Sequence, residues 1–365
     1  MLLLKRFKLD IKMNISYACN RNIEGWIAMP TIKDVAALAG VSISTVSIVI
    51  NGQAEERKVA KETALKVLEA VKSLDYKPNM VARRLRSSEE GKPVVALYWP
   101  LDYRASFLAR IMLGLQSEIR RRNLSLDLVV CTYENDYLYK ETGLTNKNRY
   151  SVAIVGAASE KDMKYLASQK TRVPIILFNR YLDGFNSVRS NDEASAYEAA
   201  SIFHRKGHSR IAVITTESSP IATSFRTRCF LKACSELGIE VDPACILKTD
   251  HSYKGGANAA KELIASGRLP HALFCDSDVL AIGASSIFNK EGIKIPTTLE
   301  MISFGLMGED TTEFSTPSIT VVSLPSEEMA AECIGIADSI LNDSIKEPVH
   351  KTVEPRILFR DSCRI

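Results

Sequence analysis

Small hydroxylated side chains on one face of a short helical segment are the first candidates for chemistry. Between residues 42 and 52, Val46, Val49 and Ile50 share one helical face. The opposite face carries Ile43, Ser44, Thr45 and Ser47. Such a face can approach base edges and phosphates closely in a DNA major groove. A three-helix bundle with a solvated Ser/Thr face is the alternative interpretation.

The sequence contains no recognisable catalytic or metal-binding pattern beside this hydroxylated helical face. The sequence lacks GxGxxG after a strand, GxxxxGK[ST], HExxH and GxSxG. His204 and His208 stand four residues apart, but Gly207 between them indicates a helix end, and no third ligand is near. Cys229 and Cys234 fit neither a zinc knuckle nor a redox pair. The sequence therefore predicts no enzyme, no metal site and no cofactor.

Composition narrows the class of protein. The chain has 365 residues, of which 46% are hydrophobic and 25% charged, as in soluble globular proteins. At roughly 100–200 residues per domain, two or three domains are expected. No apolar run reaches the length of a membrane-spanning helix. The eight cysteines form no CxxC pair, which favours reduced core cysteines and a cytoplasmic protein.

The positive charge is concentrated in the first quarter of the chain. Residues 1–90 hold 15 Lys/Arg and 10 Asp/Glu, whereas the remainder holds 32 and 33. This bias predicts a polyanion-binding module. Residues 1–28 lack periodicity, so we interpret them as an unstructured extension and predict Met29 as the start. Residues 29–90 then hold 10 basic and 8 acidic residues, a mild surplus whose specificity must come from shape and base contacts.

Capping and turn residues predict a helix-turn-helix within this quarter. Thr31 can cap a first helix, Gly40 supplies a turn and Ser42 can cap the second helix. A third helix is expected from about Ala60 to the segment before Pro78. Its predicted core residues are Ala64, Val67, Leu68, Val71 and Leu74.

Short β-rich runs alternate with helical patterns through the rest of the chain. Runs are found at 94–98, 126–131, 152–155, 175–178, 211–214, 272–274 and 301–304. Helices are expected at 107–122, 194–206, 230–237, 253–266 and 280–292. The alternation predicts an α/β fold with parallel sheets, and its length predicts two lobes.

The segments 31–51, 59–63 and 76–79 closely resemble the headpiece of the lactose-repressor (LacI/GalR) family, and 79–86 resembles its hinge helix. The resemblance implies DNA binding, with Leu85 as an apolar wedge in the minor groove. The DNA contacts that it implies are Thr31, Ile43, Ser44, Thr45, Ser47, Ile48, Asn51, Tyr76, Asn79, Ala82, Arg83 and Leu85. Ile48 departs from the family, which usually has a polar or basic reader there. An isoleucine cannot hydrogen-bond guanine, so we predict weaker guanine selection at that operator position.

Residues 92–360 resemble the periplasmic-binding-protein-like body of the same family. Matching landmarks include the runs at 173–176, 206–211, 278–283 and 316–320. The resemblance implies a two-lobed body after a headpiece at 29–78 and a hinge and linker at 79–91. Crossovers are expected near Ser190, Val321 and Glu347, with lobe one at 92–190 plus 322–346 and lobe two at 191–321 plus 347–360.

The family's effector positions map onto this sequence with several changes. The implied contacts are Ser106, Phe107, Asn179, Arg180, Arg226, Ser277, Asp278 and Met307. The family's G-F-D-D reads Gly305-Leu306-Met307-Gly308, so both of its carboxylates are absent. Three interpretations stay open: a less hydroxylated or anionic effector bound through Arg226 and Arg180, a sugar with rearranged ligands such as Glu309 and Asp310, or no effector.

The resemblance implies a homodimeric transcriptional repressor that binds a near-palindromic operator in double-stranded DNA. A small molecule is expected to modulate its affinity, and a sugar and an anionic metabolite are the candidates. An effector-independent or partner-protein-regulated repressor is the alternative within that class. A solute-binding protein or an α/β enzyme without DNA binding is the alternative from another class, and it leaves residues 31–86 unexplained.

Overall fold

The computed structural model describes residues 32–50, 52–55, 57–74, 92–145, 149–169, 171–217 and 221–364, with backbone alone at 103 and 221–224. The chain divides into two compact units between residues 89 and 90. We refer to the first unit as the headpiece and to the second as the body.

Three helices form the described part of the headpiece. They are α1 (Ile32–Ala39), α2 (Ile43–Ile50) and α3 (Lys61–Ser73). Gly40 has a φ of 66°, which a glycine adopts without strain, and it turns the chain after α1. The hydroxyl of Ser42 accepts a hydrogen bond from the Thr45 N–H at 3.1 Å and caps α2. The predicted turn and second cap are confirmed, whereas Thr31 lies outside the described residues.

The headpiece core joins one face of each helix. Its buried members are Val35, Ala36, Val46, Val49, Val67 and Ala70. The prediction that Leu68 is buried was wrong, because its side chain is 51% exposed. Leu68 lies about 100° around the helix from Val67, and Ala70 completes the buried stripe instead.

The body contains two six-stranded sheets. The strands of sheet one are β1 (Val94–Pro100), β2 (Asp127–Tyr133), β3 (Val152–Gly156), β4 (Ile175–Phe178), β5 (Asn186–Ser190) and β11 (His350–Val353). Their order is β11-β5-β4-β3-β1-β2, and every pairing is parallel.

Sheet two repeats this arrangement. Its strands are β6 (Ile211–Thr216), β7 (Ile246–Thr249), β8 (Ala272–Cys275), β9 (Glu300–Gly305), β10 (Thr320–Ser323) and β12 (Arg356–Leu358). Their order is β12-β10-β9-β8-β6-β7, and only the β10–β12 pairing is antiparallel.

Helices cover both sheets. They are α4 (Leu108–Arg121), α5 (Glu160–Ser168), α6 (Asp192–Arg205), α7 (Ile221–Glu236), α8 (Tyr253–Ala265), α9 (Asp278–Lys290), α10 (Glu309–Glu313) and α11 (Ser326–Leu341). A 3₁₀ turn, Tyr103–Phe107, leads into α4. Among the described residues, no single helix is long and apolar enough to cross a membrane, and α1 and α2 pass such a test only as a pair bent by 102°.

Two apolar clusters flank each sheet, because both of its faces are covered. In sheet one, Val95 and Leu97 of β1 face a core shared with α4 and α11, while Ala96 and Tyr98 face the opposite cluster. Neighbouring residues of the strand therefore point into different cores, and the side chains on both faces are buried. This double burial explains why the strands appear in the sequence as continuous apolar runs.

The predicted α/β fold with two parallel-sheet lobes is confirmed, but two crossovers were misplaced. β10 lies wholly in sheet two, so the chain crosses after Ser323 rather than near Val321. β11 pairs with β5, with His350 opposite Ser187, so the last crossover follows Val353 rather than Glu347. Residues 350–353 thus belong to lobe one. Their side chains are mostly exposed and polar, which leaves no apolar signal.

Candidate ligand cleft and DNA-facing surface

A cavity lies within the body, where the carboxyl ends of strands from both sheets meet. Lobe one contributes residues that follow β1, β3 and β4, including Arg104, Ala157 and Arg180. Lobe two contributes His251 after β7 and Leu306 after β9. Ligands of open α/β sheets bind at this edge. We refer to this cavity as the cleft.

Half of the predicted effector residues line the cleft. They are Phe107, Asn179, Arg180 and Arg226. The other four are not among its lining residues. Ser106 is exposed, Met307 is half-buried, and Ser277 and Asp278 are fully buried.

Asp278 holds the loop that follows β9. Its carboxylate accepts hydrogen bonds from the backbone N–H groups of Leu306, at 3.0 Å, and Met307, at 2.8 Å. Ser277 caps α9 by accepting from the Leu280 N–H at 3.4 Å. Burial raises the pKa of Asp278 to about 6. Both residues thus hold backbone segments near the cleft in place, although neither residue lines it.

The same loop is held from lobe one by Arg110, which sequence reasoning missed. Its Nη1 donates to the carbonyl oxygens of Leu306, at 3.2 Å, and Met307, at 2.9 Å. Its Nη2 donates to the carbonyl of Leu324 at 3.1 Å, and Glu327 receives two further bonds from the guanidinium. Arg110 therefore ties α4 to the last strands of lobe two.

Arg226 is already paired within the protein. Its Nε donates to Asp192 Oδ2 at 3.0 Å, and the two side chains are only 3% and 5% exposed. Its guanidinium also lies 5.0 Å from the ring centroid of Phe304. Position alone identified Arg226 in the sequence, but nothing in the sequence showed that Asp192 neutralises it.

Arg104 is a second paired arginine, and sequence reasoning missed it. Its Nε donates to Asp102 Oδ1 at 2.9 Å, and its Nη1 donates to the Ala157 carbonyl at 2.6 Å. Its Nη2 donates to Asn135 Oδ1. A charged residue just after the first apolar strand was the signal that could have found it, because that edge of a parallel sheet carries ligand sites.

Arg180 differs from both. It is 6% exposed, and its Nε and Nη1 donate to the carbonyl oxygens of Ala158 and Asn179, both at 2.7 Å. Within the described part of the chain, no carboxylate oxygen comes within the 4.0 Å of an ion pair. Burial and the neighbouring Arg104 and Arg226 lower the pKa of Arg180 to about 10. It therefore keeps its charge at neutral pH.

Two residues of the cleft wall have strained backbones. Ala157 and Asn179, which follow β3 and β4, have φ values of 53° and 52°. Positive φ is uncommon outside glycine and concentrates at functional sites. Here the conformation accompanies carbonyl oxygens that accept from Arg104 and Arg180.

Aromatic rings line the opposite side of the cleft. The rings of Phe107 and His251 meet edge to face, with centroids 6.1 Å apart. Burial lowers the pKa of His251, which keeps its imidazole neutral at neutral pH. Sequence reasoning missed His251, although it directly follows β7. The described residues contain no group of three or more His, Cys, Asp and Glu placed to hold a metal ion.

The proposed DNA-facing surface of α2 is partly accessible. Ile43 is 36% exposed and Ser44 is also exposed, while Thr45, Ser47 and Ile48 are half-buried. The remaining predicted DNA contacts lie outside the described residues: Thr31, Asn51, Tyr76, Asn79, Ala82, Arg83 and Leu85.

Comparison with known proteins identifies the family. Residues 31–79 match the bacterial regulatory proteins of the lacI family, and residues 200–363 match the periplasmic binding protein-like domain. A LacI family transcription regulator from Clostridium acetobutylicum, known from its crystal structure, is 35% identical with a TM-score of 0.71, over 74% of this chain and 100% of that one. The chain belongs to the LacI family.

Two further similarities span headpiece and body. The HTH-type transcriptional repressor PurR of Histophilus somni (strain 129Pt) is 27% identical over 344 residues, 92% of this chain and 99% of PurR. The lac repressor dimer, solved with its operator and the anti-inducer ONPF, shares the fold at 19% identity, with a TM-score of 0.67 over 93% of this chain and 100% of that one. The prediction of a LacI-family DNA-binding transcriptional regulator is confirmed.

Proposed function

We propose that this LacI-family regulator is a repressor whose operator affinity is set by a small molecule in the cleft. The observation that carries the proposal is the cleft itself. Residues from both lobes line it, so a bound molecule contacts both. Because a ligand shifts a conformational equilibrium only through different contacts in the two states, a site between lobes is suited to control.

The route from cleft to DNA begins at the loop after β9. Leu306 lines the cleft, and its backbone is held by Asp278 of lobe two and by Arg110 of lobe one. A change in the separation of the lobes must stretch or relax these bonds. We propose that this change reaches the hinge segment, residues 79–91, and alters how two hinges meet on the operator. Couplings of this kind amount to about 1–3 kcal/mol.

The protein is proposed to act as a homodimer. The helix-turn-helix of each subunit binds one half-site, with α2 in the major groove. Because a dimer presents two such units related by two-fold symmetry, its operator must be near-palindromic. The dimeric state of the lac repressor on its operator supports this arrangement.

Selection of operators from random double-stranded DNA tests the proposal. We expect near-palindromic sequences that the protein binds about 10³-fold or more tightly than unrelated DNA. Equal affinity for all sequences would contradict a sequence-specific regulator. If no compound in a thermal-shift panel of sugars, phosphosugars, nucleosides and organic acids changes operator affinity, the effector-independent repressor replaces our proposal.

A further inference from the structure

The arginines of the cleft differ in their partners. Three arginines line it: Arg104, Arg180 and Arg226. Arg104 forms an ion pair with Asp102, and Arg226 forms one with Asp192. Among the described residues, Arg180 forms no ion pair, and the His251 imidazole adds no positive charge at neutral pH.

The charge of Arg180 is buried, which is costly. Taking an arginine out of water without an opposite charge carries a penalty that a protein ordinarily relieves by an ion pair. The carbonyl oxygens of Ala158 and Asn179 engage Nε and Nη1, at 2.7 Å each. Among the described residues, Nη2 of Arg180 has no acceptor. A guanidinium edge at a cavity wall fits an oxyanion.

The rest of the wall argues against a polyhydroxylated ligand. No acidic side chain lines the cleft in the described part of the chain. Its one side-chain amide, Asn179, directs Oδ1 towards the backbone N–H of Ser190 at 3.4 Å. A sugar needs several such groups for its vicinal hydroxyls. Phe107, His251 and Leu306 instead offer an apolar and aromatic surface.

We propose that the cleft selects a small organic anion with a single carboxylate. Its oxygens accept from Arg180, and its apolar or aromatic body packs against Phe107 and His251. One carboxylate pairs with the one arginine of the cleft that forms no ion pair among the described residues, whereas a phosphate monoester carries more than one negative charge. This inference rests on the proposed function, because it names the ligand class of the same cleft.

Matched ligand pairs test the charge requirement by calorimetry. The probes are benzoate with benzamide, phenylacetate with phenylacetamide, and hexanoate with hexanamide, together with phenyl phosphate and cellobiose. We expect at least one carboxylate to bind about tenfold or more tightly than its amide, since a charged hydrogen bond is worth roughly 1.5–3 kcal/mol. Arg180→Gln should remove that preference.

Three results would overturn the inference: no pair shows the preference, Arg180→Gln retains it, or phenyl phosphate or cellobiose binds more tightly than every carboxylate. Operator binding by the wild-type protein is measured alongside. Wild-type protein that binds its operator without any carboxylate preference rejects this inference alone, whereas loss of specific operator binding rejects the proposed function.

Stability without ligand provides an independent test. Arg180→Met removes an uncompensated buried charge, so the urea midpoint of the ligand-free variant should rise above that of the wild type. Arg226→Met is the matched control, because it leaves Asp192 buried without its partner and should lower the midpoint. If Arg180→Met lowers the midpoint as much as Arg226→Met does, Arg180 is a structural residue and the inference is wrong.

Discussion

Ile48 is the residue of α2 that we predict to contact the operator without a hydrogen bond. Its half-buried side chain can offer a methyl contact but no hydrogen bond. We therefore predict that it contacts a thymine methyl group in the operator. Replacing that thymine by deoxyuridine removes one methyl, which should weaken wild-type binding by about 0.8 kcal/mol, roughly fourfold.

The test is a scan in which each thymine of the selected operator is replaced in turn, with affinity measured by fluorescence anisotropy. Ile48→Ala is the control variant, and it should lose sensitivity at the same position. A guanine required by the wild-type protein at that base pair would contradict the assignment.

Asp276 is a buried carboxylate in a network behind the cleft. It accepts hydrogen bonds from the Thr215 hydroxyl, at 2.6 Å, and from the Thr216 N–H, at 2.8 Å. Burial raises its pKa to about 6, although these bonds and the charge of Arg226 oppose the shift. Because the pKa of Asp276 is higher in the folded protein than in the unfolded chain, the protonated carboxyl stabilises the fold. This stabilisation is complete below the unfolded pKa and is lost as the pH rises through about 6.

We predict that the wild-type protein loses free energy of unfolding relative to Asp276→Asn between pH 5 and pH 7.5. The expected change in that difference is on the order of 1 kcal/mol. Urea unfolding of both proteins at several pH values measures it. Asp278 is present in both proteins, so its own titration cancels. A difference that is independent of pH would show that Asp276 does not titrate in this range.

For single residues, the sequence indicated which positions lie near the cleft better than it indicated what each side chain does there. The family resemblance implies Arg180 and Arg226 as effector contacts, and both line the cleft. It could not distinguish them, because the partner of Arg226 is Asp192, which comes from a different helix and lies 34 residues away in the sequence. Asp278 was expected at the effector, but its carboxylate is engaged by the backbone of the loop after β9.

Among the elements, α8 and α9 pack unusually closely beside the cleft. A β-carbon on Gly256 of α8 would lie 2.1 Å from the Leu280 carbonyl oxygen, and one on Gly283 of α9 would lie 2.0 Å from that of Tyr253. Each helix thus approaches the backbone of the other through a glycine. The contact positions the start of α8, which directly follows His251 and its capping neighbour Ser252.

We predict that Gly256→Ala or Gly283→Ala lowers the free energy of unfolding by about 1–3 kcal/mol, because the backbones must separate. Gly308→Ala is the matched control, since a β-carbon there meets no described atom within 4 Å. Denaturant unfolding provides the measurement. Equal stability of all three variants would contradict the close packing.

Strands buried on both faces were predictable, and exposed strands at the sheet edges were not. The apolar runs of β1, β3 and β8 matched the structure because both of their faces are covered. β11 and β12 are short and partly exposed, so their sequences carry no such run. Membership of β11 in sheet one depends on its pairing with β5, and a contact between such distant residues leaves no local pattern.

The whole molecule joins a DNA-binding headpiece to the body that contains the cleft. Residues 29–90 hold 10 basic and 8 acidic residues, which is only a small positive surplus. Specific binding must then depend on groove shape, dimer geometry and a few base contacts rather than on strong attraction to phosphates.

The most direct test of this account is the affinity of the protein for its selected operator, measured with the cleft empty and with the cleft saturated by the compound that gives the largest thermal shift. We predict a change of about 5- to 150-fold, and the same factor in the affinity of that compound when operator is present. Identical operator affinities in the two states would contradict a ligand-controlled repressor.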